Sequence, residues 1–156
     1  MANHSPKGMR EIAQRMANAI STMSTKEVAV GLPSEEAAGA AYKNGMSVIA
    51  VGIIHEYGFG NQPRRSFLRD PILSNLDKLG GTINQEWFRV VRGQQDAVQG
   101  LQRVGTQAAN ISRRSFRTGG GGAWPDITDR RKKQKGSSKI LIDKGLLRGS
   151  ITHVVR

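Results

Sequence analysis

Residues 96 to 117 read DAVQGLQRVGTQAANISRRSFR, and this segment organises the rest of the chain. Its apolar residues recur at three- and four-residue spacing, which is the period of one face of an α-helix. The other side carries Gln, Asn and Arg. Four consecutive glycines at 119–122 impose a large ordering cost on a helix and predict its end. The predicted apolar face consists of Val98, Leu101, Val104, Ala108, Ile111 and Phe116.

Two elements are predicted on the N-terminal side. Residues 6–23 form an amphipathic helix that begins at Pro6, a residue suited to the first helical position. We expect this helix to pack on a sheet. Residues 27–32 alternate apolar and other side chains, which predicts a half-buried strand. Ser34, followed by two glutamates, is typical of a helix N-cap. The apolar stripe of the first helix is Met9, Ile12, Met16, Ala19, Ile20 and Met23.

The middle of the chain contains a short apolar run, residues 48–54, that fits a buried strand or a buried helix. We favour a helix that ends near Tyr57, with Gly58 as its C-terminal stop. A further helix is predicted from about Ser66 and another over residues 82–92. The Gly80–Gly81 pair between them is expected to weaken the helix there.

The composition changes after the central helix. Nine of the 27 residues from Arg113 to Lys139 are Lys or Arg, and only Asp126 and Asp129 oppose them. We predict that residues 118–139 form a long, basic, Gly-rich loop, either extended or mobile. It is a solvated loop or one that contacts an acidic partner or DNA, where phosphate contacts would be salt-sensitive and without sequence preference. Its candidate contact residues are Arg117, Arg130, Arg131, Lys132, Lys133 and Lys135.

Taken together, these elements predict one α+β domain over residues 1–156. A small antiparallel sheet, closed by a strand near 150–155, packs against the N-terminal helix and the long central helix. The net charge of +12 favours an anionic partner. No apolar run approaches the length that spans a bilayer, so we expect a soluble protein made in the cytoplasm, without a membrane role.

The sequence offers no pattern for catalysis, metal binding or a cofactor. His55-Glu56 begins like the zinc motif H-E-x-x-H, but the second histidine position is Phe59. The Gly119–Gly122 run is followed by Trp124-Pro125 instead of the Gly-Lys-Ser/Thr of a phosphate loop. No nucleophile elbow or carboxylate pair stands out, and the chain has no cysteine. We therefore expect a protein that is not an enzyme and binds no metal or cofactor.

Two sequence blocks carry a family resemblance. The first is IHEYG at 54–58, followed after a short loop by PRRSFLRDP at 63–71. The second is WPDIT at 124–128, followed by basic residues and then ILIDKGLLRGSI at 140–151. In this order, the blocks resemble the phage virion morphogenesis and tail-completion proteins. Trp124 and Pro125 are adjacent here instead of spaced, and Lys144 stands where that family usually has Thr.

The resemblance implies a structural virion protein of the tail or neck. Such α+β subunits assemble as a ring, commonly a hexamer, at the head-proximal end of the tail. The ring completes the tail, contacts the tail tube or tail terminator, and joins the head–tail connector. DNA passes through it without sequence-specific binding. Two alternatives stay open: a basic nucleic-acid-binding protein and a tail assembly chaperone absent from the virion.

The two blocks also supply candidate subunit or partner contacts. Glu56 is expected to pair with a neighbouring arginine, within one subunit or across an interface. The aromatic residues of the first block have a simpler interpretation as core or loop packing. Trp124 either anchors in a partner or packs back onto its own core. The full candidate set is Glu56, Tyr57, Phe59, Arg64, Arg65, Phe67, Arg69 and Trp124.

Overall fold

The computed structural model describes residues 6–33, 40–136, 138–141 and 145–156. These residues form helices and one two-stranded antiparallel sheet, so the predicted mixed α+β class is confirmed. The N-cap expected at Ser34 lies outside them. The elements in chain order are α1 (Pro6–Thr25), β1 (Val28–Gly31), α2 (Val48–Tyr57), α3 (Arg69–Leu73), α4 (Leu76–Val91), α5 (Ala97–Thr118), α6 (Asp129–Lys135), α7 (Leu146–Gly149) and β2 (Thr152–Val155).

The long central helix α5 is confirmed, and both of its ends are capped. The Asp96 carboxylate accepts from the Gln99 backbone N–H at 2.8 Å, while the Gln99 side chain accepts from the Asp96 N–H at 3.3 Å. This reciprocal pair is a capping box, which satisfies two otherwise unpaired donors. Gly119 ends the helix in the left-handed conformation, as the glycine run predicted. Helices α1, α3 and α4 and both strands contact α5.

The sheet packs directly on α5 at Gly105, where the helix has no side chain. Strands β1 and β2 pair antiparallel, with Val28 opposite Val155 and Gly31 opposite Thr152. A Cβ atom on Gly105 would lie 2.3 Å from the His153 ring and 2.9 Å from Val28. Glycine therefore allows the helix and the sheet to approach closely.

The largest hydrophobic cluster lies where α2, α7, the segment around Phe67 and the C-terminal half of α5 meet. The apolar run at 48–54 forms helix α2, as favoured, and the Ser47 hydroxyl caps it by accepting from the Ala50 N–H at 3.1 Å. Gly58 is its C-cap. The buried members of this cluster are Val48, Phe67, Ala109, Phe116, Trp124, Leu147 and Ile151.

Helix α1 departs from the expected packing. Its main contacts are with α4 and α5, not with the sheet. The contact is made where Ala19 and Met23 pack with Val90, Ala97 and Trp87. Ala19 is buried in this contact and Met23 is half-buried. Four members of the predicted stripe are solvent-exposed: Met9, Ile12, Met16 and Ile20.

The basic segment 118–139 is not a single long loop in the described residues. Residues 119–123 form turns, and Asp129–Lys135 form helix α6. The Thr128 hydroxyl caps α6 by accepting from the Arg131 N–H at 3.3 Å, and Gly136 ends it. The correction has a physical reason: Thr before Asp is a helix start signal, and Lys, Arg and Gln are good helix formers.

Helix α4 runs through the glycine pair that was expected to weaken it. A Cβ atom on Gly81 would meet no atom within 4 Å, and the residue is exposed. We expect Gly81→Ala to raise the free energy of unfolding by about 1 kcal/mol, because alanine loses less backbone entropy in a helix. Chemical denaturation measures this. Gly58→Ala is the matched control and should destabilise, since Gly58 has φ 81°. A lower free energy of unfolding for Gly81→Ala would contradict the conclusion that there is space for a side chain at this position.

Candidate functional site

The first block places a carboxylate inside the molecule. Glu56 lies near the end of α2 and is 6 % exposed. Helix α2 ends at Gly58, whose N–H donates to the Ile54 carbonyl at 2.8 Å. The chain then turns back, and the Arg65 N–H donates to the His55 carbonyl at 2.7 Å. This return brings the PRRSFLRDP block alongside the end of α2.

The Glu56 carboxylate accepts four hydrogen bonds from the returning chain. One oxygen accepts from the Ser66 hydroxyl at 2.7 Å and from the Arg69 N–H at 3.0 Å. The other accepts from the N–H groups of Phe67 and Leu68, both at 3.0 Å. These donors lie at the start of α3 and compensate the buried charge. We call Glu56 and residues 66–69 the Glu56 cluster.

The second block is attached to the same cluster. The Trp124 indole N–H donates to the Ser66 carbonyl at 3.1 Å. Arg65 donates from Nε to the Pro125 carbonyl at 2.8 Å and from Nη2 to the Asp126 carbonyl at 3.0 Å. The Trp124 ring also packs edge-on against Phe116, with centroids 5.6 Å apart. The two blocks, distant in sequence, therefore form one structural unit.

Four of the predicted contact residues lie inside this unit. Glu56, Arg65, Phe67 and Trp124 are all buried, and their polar groups bond within the chain. The expected Glu56–arginine pair is replaced by backbone amides and a hydroxyl, because the chain turns its N–H groups towards the carboxylate. Trp124 and Phe67 follow the alternative in which they pack on their own core.

The other four candidates lie on the surface above the Glu56 cluster. Tyr57 is 62 % exposed and Phe59 is 75 % exposed. The Arg69 guanidinium lies 5.3 Å from the centroid of the Tyr57 ring, a cation–π contact. Arg64 and Arg69 both form ion pairs with Asp70. Together with exposed Ile53, one turn before Tyr57, they form what we call the aromatic–arginine patch: Ile53, Tyr57, Phe59, Arg64 and Arg69.

The basic candidates lie elsewhere, on α6 and at the end of α5. Lys132 pairs with Asp126 at 2.6 Å and with Asp129 at 3.5 Å, which partly neutralises α6. This pairing raises the pKa of Lys132 and lowers the pKa of Asp126. The exposed basic candidates are Arg117, Arg130, Arg131 and Lys133. Lys135 lies in α6, but its side chain is not among those that the structure describes.

His55 belongs to the first block, and its buried Nδ1 has no hydrogen-bond partner among the described residues. Burial, together with the nearby positive charges of Arg65 and Arg131, lowers the pKa of His55 from 6.5 to about 4. The imidazole is therefore neutral near pH 7. Protonating it would place a third cation beside two arginines.

This pKa shift predicts a pH-dependent stability. The folded state has the lower pKa, so the unfolded state binds more protons between 6.5 and about 4, and stability falls as pH falls through that window. We expect a loss of about 1 kcal/mol between about pH 7 and about pH 5, discounted for partial exposure. Denaturant titration at each pH measures it. His55→Gln should remove this part of the slope; an unchanged slope would contradict the assignment.

Comparisons with protein-family models, with curated proteins and with solved structures find no match for this chain. Within the described ranges, no helix is long and apolar enough to cross a membrane. Clusters of side chains that could hold a metal ion are also not found in the part of the chain that the structure describes. The site is therefore interpreted from its own geometry.

Three residues of this site were missing from the sequence prediction. Ser66 bridges the Glu56 carboxylate and the Asp70 N–H, and Asp70 pairs with Arg64. The Ser66 to Asp70 spacing was a visible local signal. Ile53 had no such signal. Every position of the run 48–54 is apolar or glycine, so the sequence does not show which side of α2 is exposed.

Proposed function

We propose that this protein is a structural subunit of a tailed-phage virion. In this proposal it forms a ring at the head-proximal end of the tail, completes the tail and joins it to the head connector. One observation carries the argument: both sequence blocks of the family resemblance meet at Ser66, which bonds Glu56 through its hydroxyl and Trp124 through its carbonyl. Because the two blocks contact each other in the folded chain, the presence of both in one sequence has a structural reason.

The aromatic–arginine patch is the surface that we assign to a neighbouring virion protein, the tail tube, tail terminator or connector. Tyrosine and arginine are enriched in interface hot spots, and rigid support lowers the entropy lost on binding. The Glu56 cluster supplies that support, since the same residues that bond Glu56 lead directly into Arg69. Phe59 projects from a tight loop closed by two backbone bonds with Gln62, at 3.1 Å and 2.9 Å.

The net charge of +12 and the exposed cations of α5 and α6 support a second part of the proposal, which is that DNA passes near these residues. Such contacts would go to phosphates and carry no sequence preference. The same charge supports the competing proposal of a free nucleic-acid-binding protein. That alternative predicts DNA binding by isolated chains with a steep salt dependence.

A binding experiment with tails tests the partner surface. Purified tails lacking this chain are incubated with the wild type, with Phe59→Ala or with Tyr57→Ala, and the bound fraction is measured after sedimentation. We expect wild-type binding and a loss of at least about tenfold for Phe59→Ala, because a central aromatic contact is worth about 2 kcal/mol or more. Phe88→Ala, which removes a 58 % exposed aromatic side chain from α4, is the matched control and should bind tails as the wild type does.

Two results would contradict this assignment. One is equal tail binding by the wild type and both patch variants. The other is a chain that ignores tails and connectors but binds duplex DNA, which would favour the nucleic-acid proposal. Both variants remove exposed side chains, so folding is expected to be retained, and far-UV circular dichroism checks this.

A further inference from the structure

An open apolar groove lies on the face of the molecule formed by α4, α5 and β1. Its volume is about 530 Å³. Leu76 and Ile83 line it and are 55 % and 41 % exposed. An apolar groove of this volume is a candidate binding site. Its walls include Leu76, Leu79, Ile83, Trp87, Leu101 and Val104.

The chain also exposes an apolar ridge of matching form. Met9 and Ile20 of α1 are 56 % and 55 % exposed, and the ridge residues are spaced as on one helix face. From Met9 to Ile20 the ridge is about 16 Å long, and the α4 wall of the groove from Leu76 to Val90 is about 21 Å long, at 1.5 Å per residue. We call this surface the α1 ridge: Met9, Ile12, Met16 and Ile20.

The α1 ridge does not occupy the groove of its own chain. Helix α1 reaches the groove at its C-terminal end, where Met23 contributes to the lining. Ala19 and Met23 pack there with Val90, which fixes the helix at that point. The residues of the α1 ridge do not belong to the groove lining, and they stay exposed. Each chain therefore has an exposed ridge and an open groove that do not contact each other within that chain.

We infer that the α1 ridge of one copy binds in the groove of a second copy. This is the helix-in-groove mode of recognition, in which side chains at one helix face fill an apolar channel. Methionine is well suited to it, because its unbranched side chain adapts to irregular walls. Ridge and groove are different surfaces, so the contact either repeats head-to-tail into a closed ring or a filament, or is exchanged between two copies in a twofold dimer. The proposed ring corresponds to the closed head-to-tail form. The inference deepens the proposed ring by naming its contact, but it depends on these two surfaces alone.

Cross-linking tests the contact directly, because the chain has no cysteine. Met16→Cys and Ile83→Cys are placed in separate copies with different tags, mixed at high protein concentration and treated with a short bis-maleimide. We expect a cross-linked species that carries both tags. The control replaces Ile83→Cys by Ile53→Cys, which is more exposed than Ile83 (56 % against 41 %) but lies on α2, outside the groove lining. A mixed species that is absent, or no more abundant than in the control, would overturn the inference.

Sedimentation velocity gives an independent measurement. Ile20→Asp and Ile83→Asp should each weaken self-association at least about tenfold, because each introduces a charge into an apolar contact. Wild-type self-association should strengthen with salt, since copies of charge +12 repel one another. Self-association that is unchanged in both variants would overturn the inference.

The two proposals fail separately. Copies that assemble in virions without the Met16–Ile83 cross-link would overturn the ridge-in-groove contact and leave the virion role intact. A cross-linked oligomer from a chain that is absent from virions would do the opposite.

Discussion

Glu56→Ala should lower the free energy of unfolding by about 3 kcal/mol or more, because four donors lose their acceptor and each unpaired buried donor costs about 1–3 kcal/mol. The carboxylate accepts from the Ser66 hydroxyl and from the N–H groups of Phe67, Leu68 and Arg69. Without it these donors stay buried and unpaired, and each carries a desolvation cost. Because natural domains have only about 5–15 kcal/mol in total, the variant should be partly unfolded in mild denaturant.

Chemical denaturation followed by circular dichroism measures this effect. The free energy of unfolding of Glu56→Gln should lie between those of the wild type and Glu56→Ala. The glutamine amide keeps one oxygen that accepts, but its NH2 group faces the N–H and O–H donors of the cluster. Glu27→Ala is the matched control. Glu27 pairs with Arg156 at the surface, so its loss should cost less than about 1 kcal/mol. Equal stability of Glu56→Ala and Glu27→Ala would show that the cluster contributes little.

Trp124→Ala should be comparably destabilising, by about 3–5 kcal/mol, the range found for removing a large aromatic from a core. Its ring packs against Phe116, and its N–H donates to the Ser66 carbonyl. Removing it leaves a cavity beside the main core and detaches the second block from the first. The carbonyl of Ser66 also loses its partner.

Trp124→Phe separates the two contributions. Phenylalanine keeps most of the packing and loses the hydrogen bond, so we expect a loss of about 1–2 kcal/mol. Urea denaturation monitored by circular dichroism applies to both variants, and the remaining Trp87 is half-buried and provides a fluorescence signal. If Trp124→Ala stays within about 1 kcal/mol of the wild type, then the second block is not held by this contact.

Much of the fold follows from local patterns in the sequence. The 3.6-residue period predicts α5, and Gly58 and Gly119 mark helix ends that the structure confirms. These features depend on neighbours within a few residues, which is why a single sequence reveals them. The same holds for the strand before Pro33 and the strand near the C-terminus.

The burial of the candidate site could not be read in the same way. Glu56 and Arg69 both appear as charged residues in a motif, yet one is buried and the other exposed. Which side chain enters the core depends on the return of the chain after Gly58, a tertiary property. The apolar stripe of α1 shows a related limit. Its helical period correctly predicts which face is apolar, but the period does not identify the surface that packs against that face.

The central claim is that this chain belongs to the mature virion as a subunit at the head–tail junction. The most direct measurement is quantitative mass spectrometry of purified virions from a tailed phage that encodes the chain, with antibody labelling of intact particles by electron microscopy. We expect a fixed number of copies per particle and label at the neck. A chain that is abundant in infected cells but absent from purified particles would contradict the account.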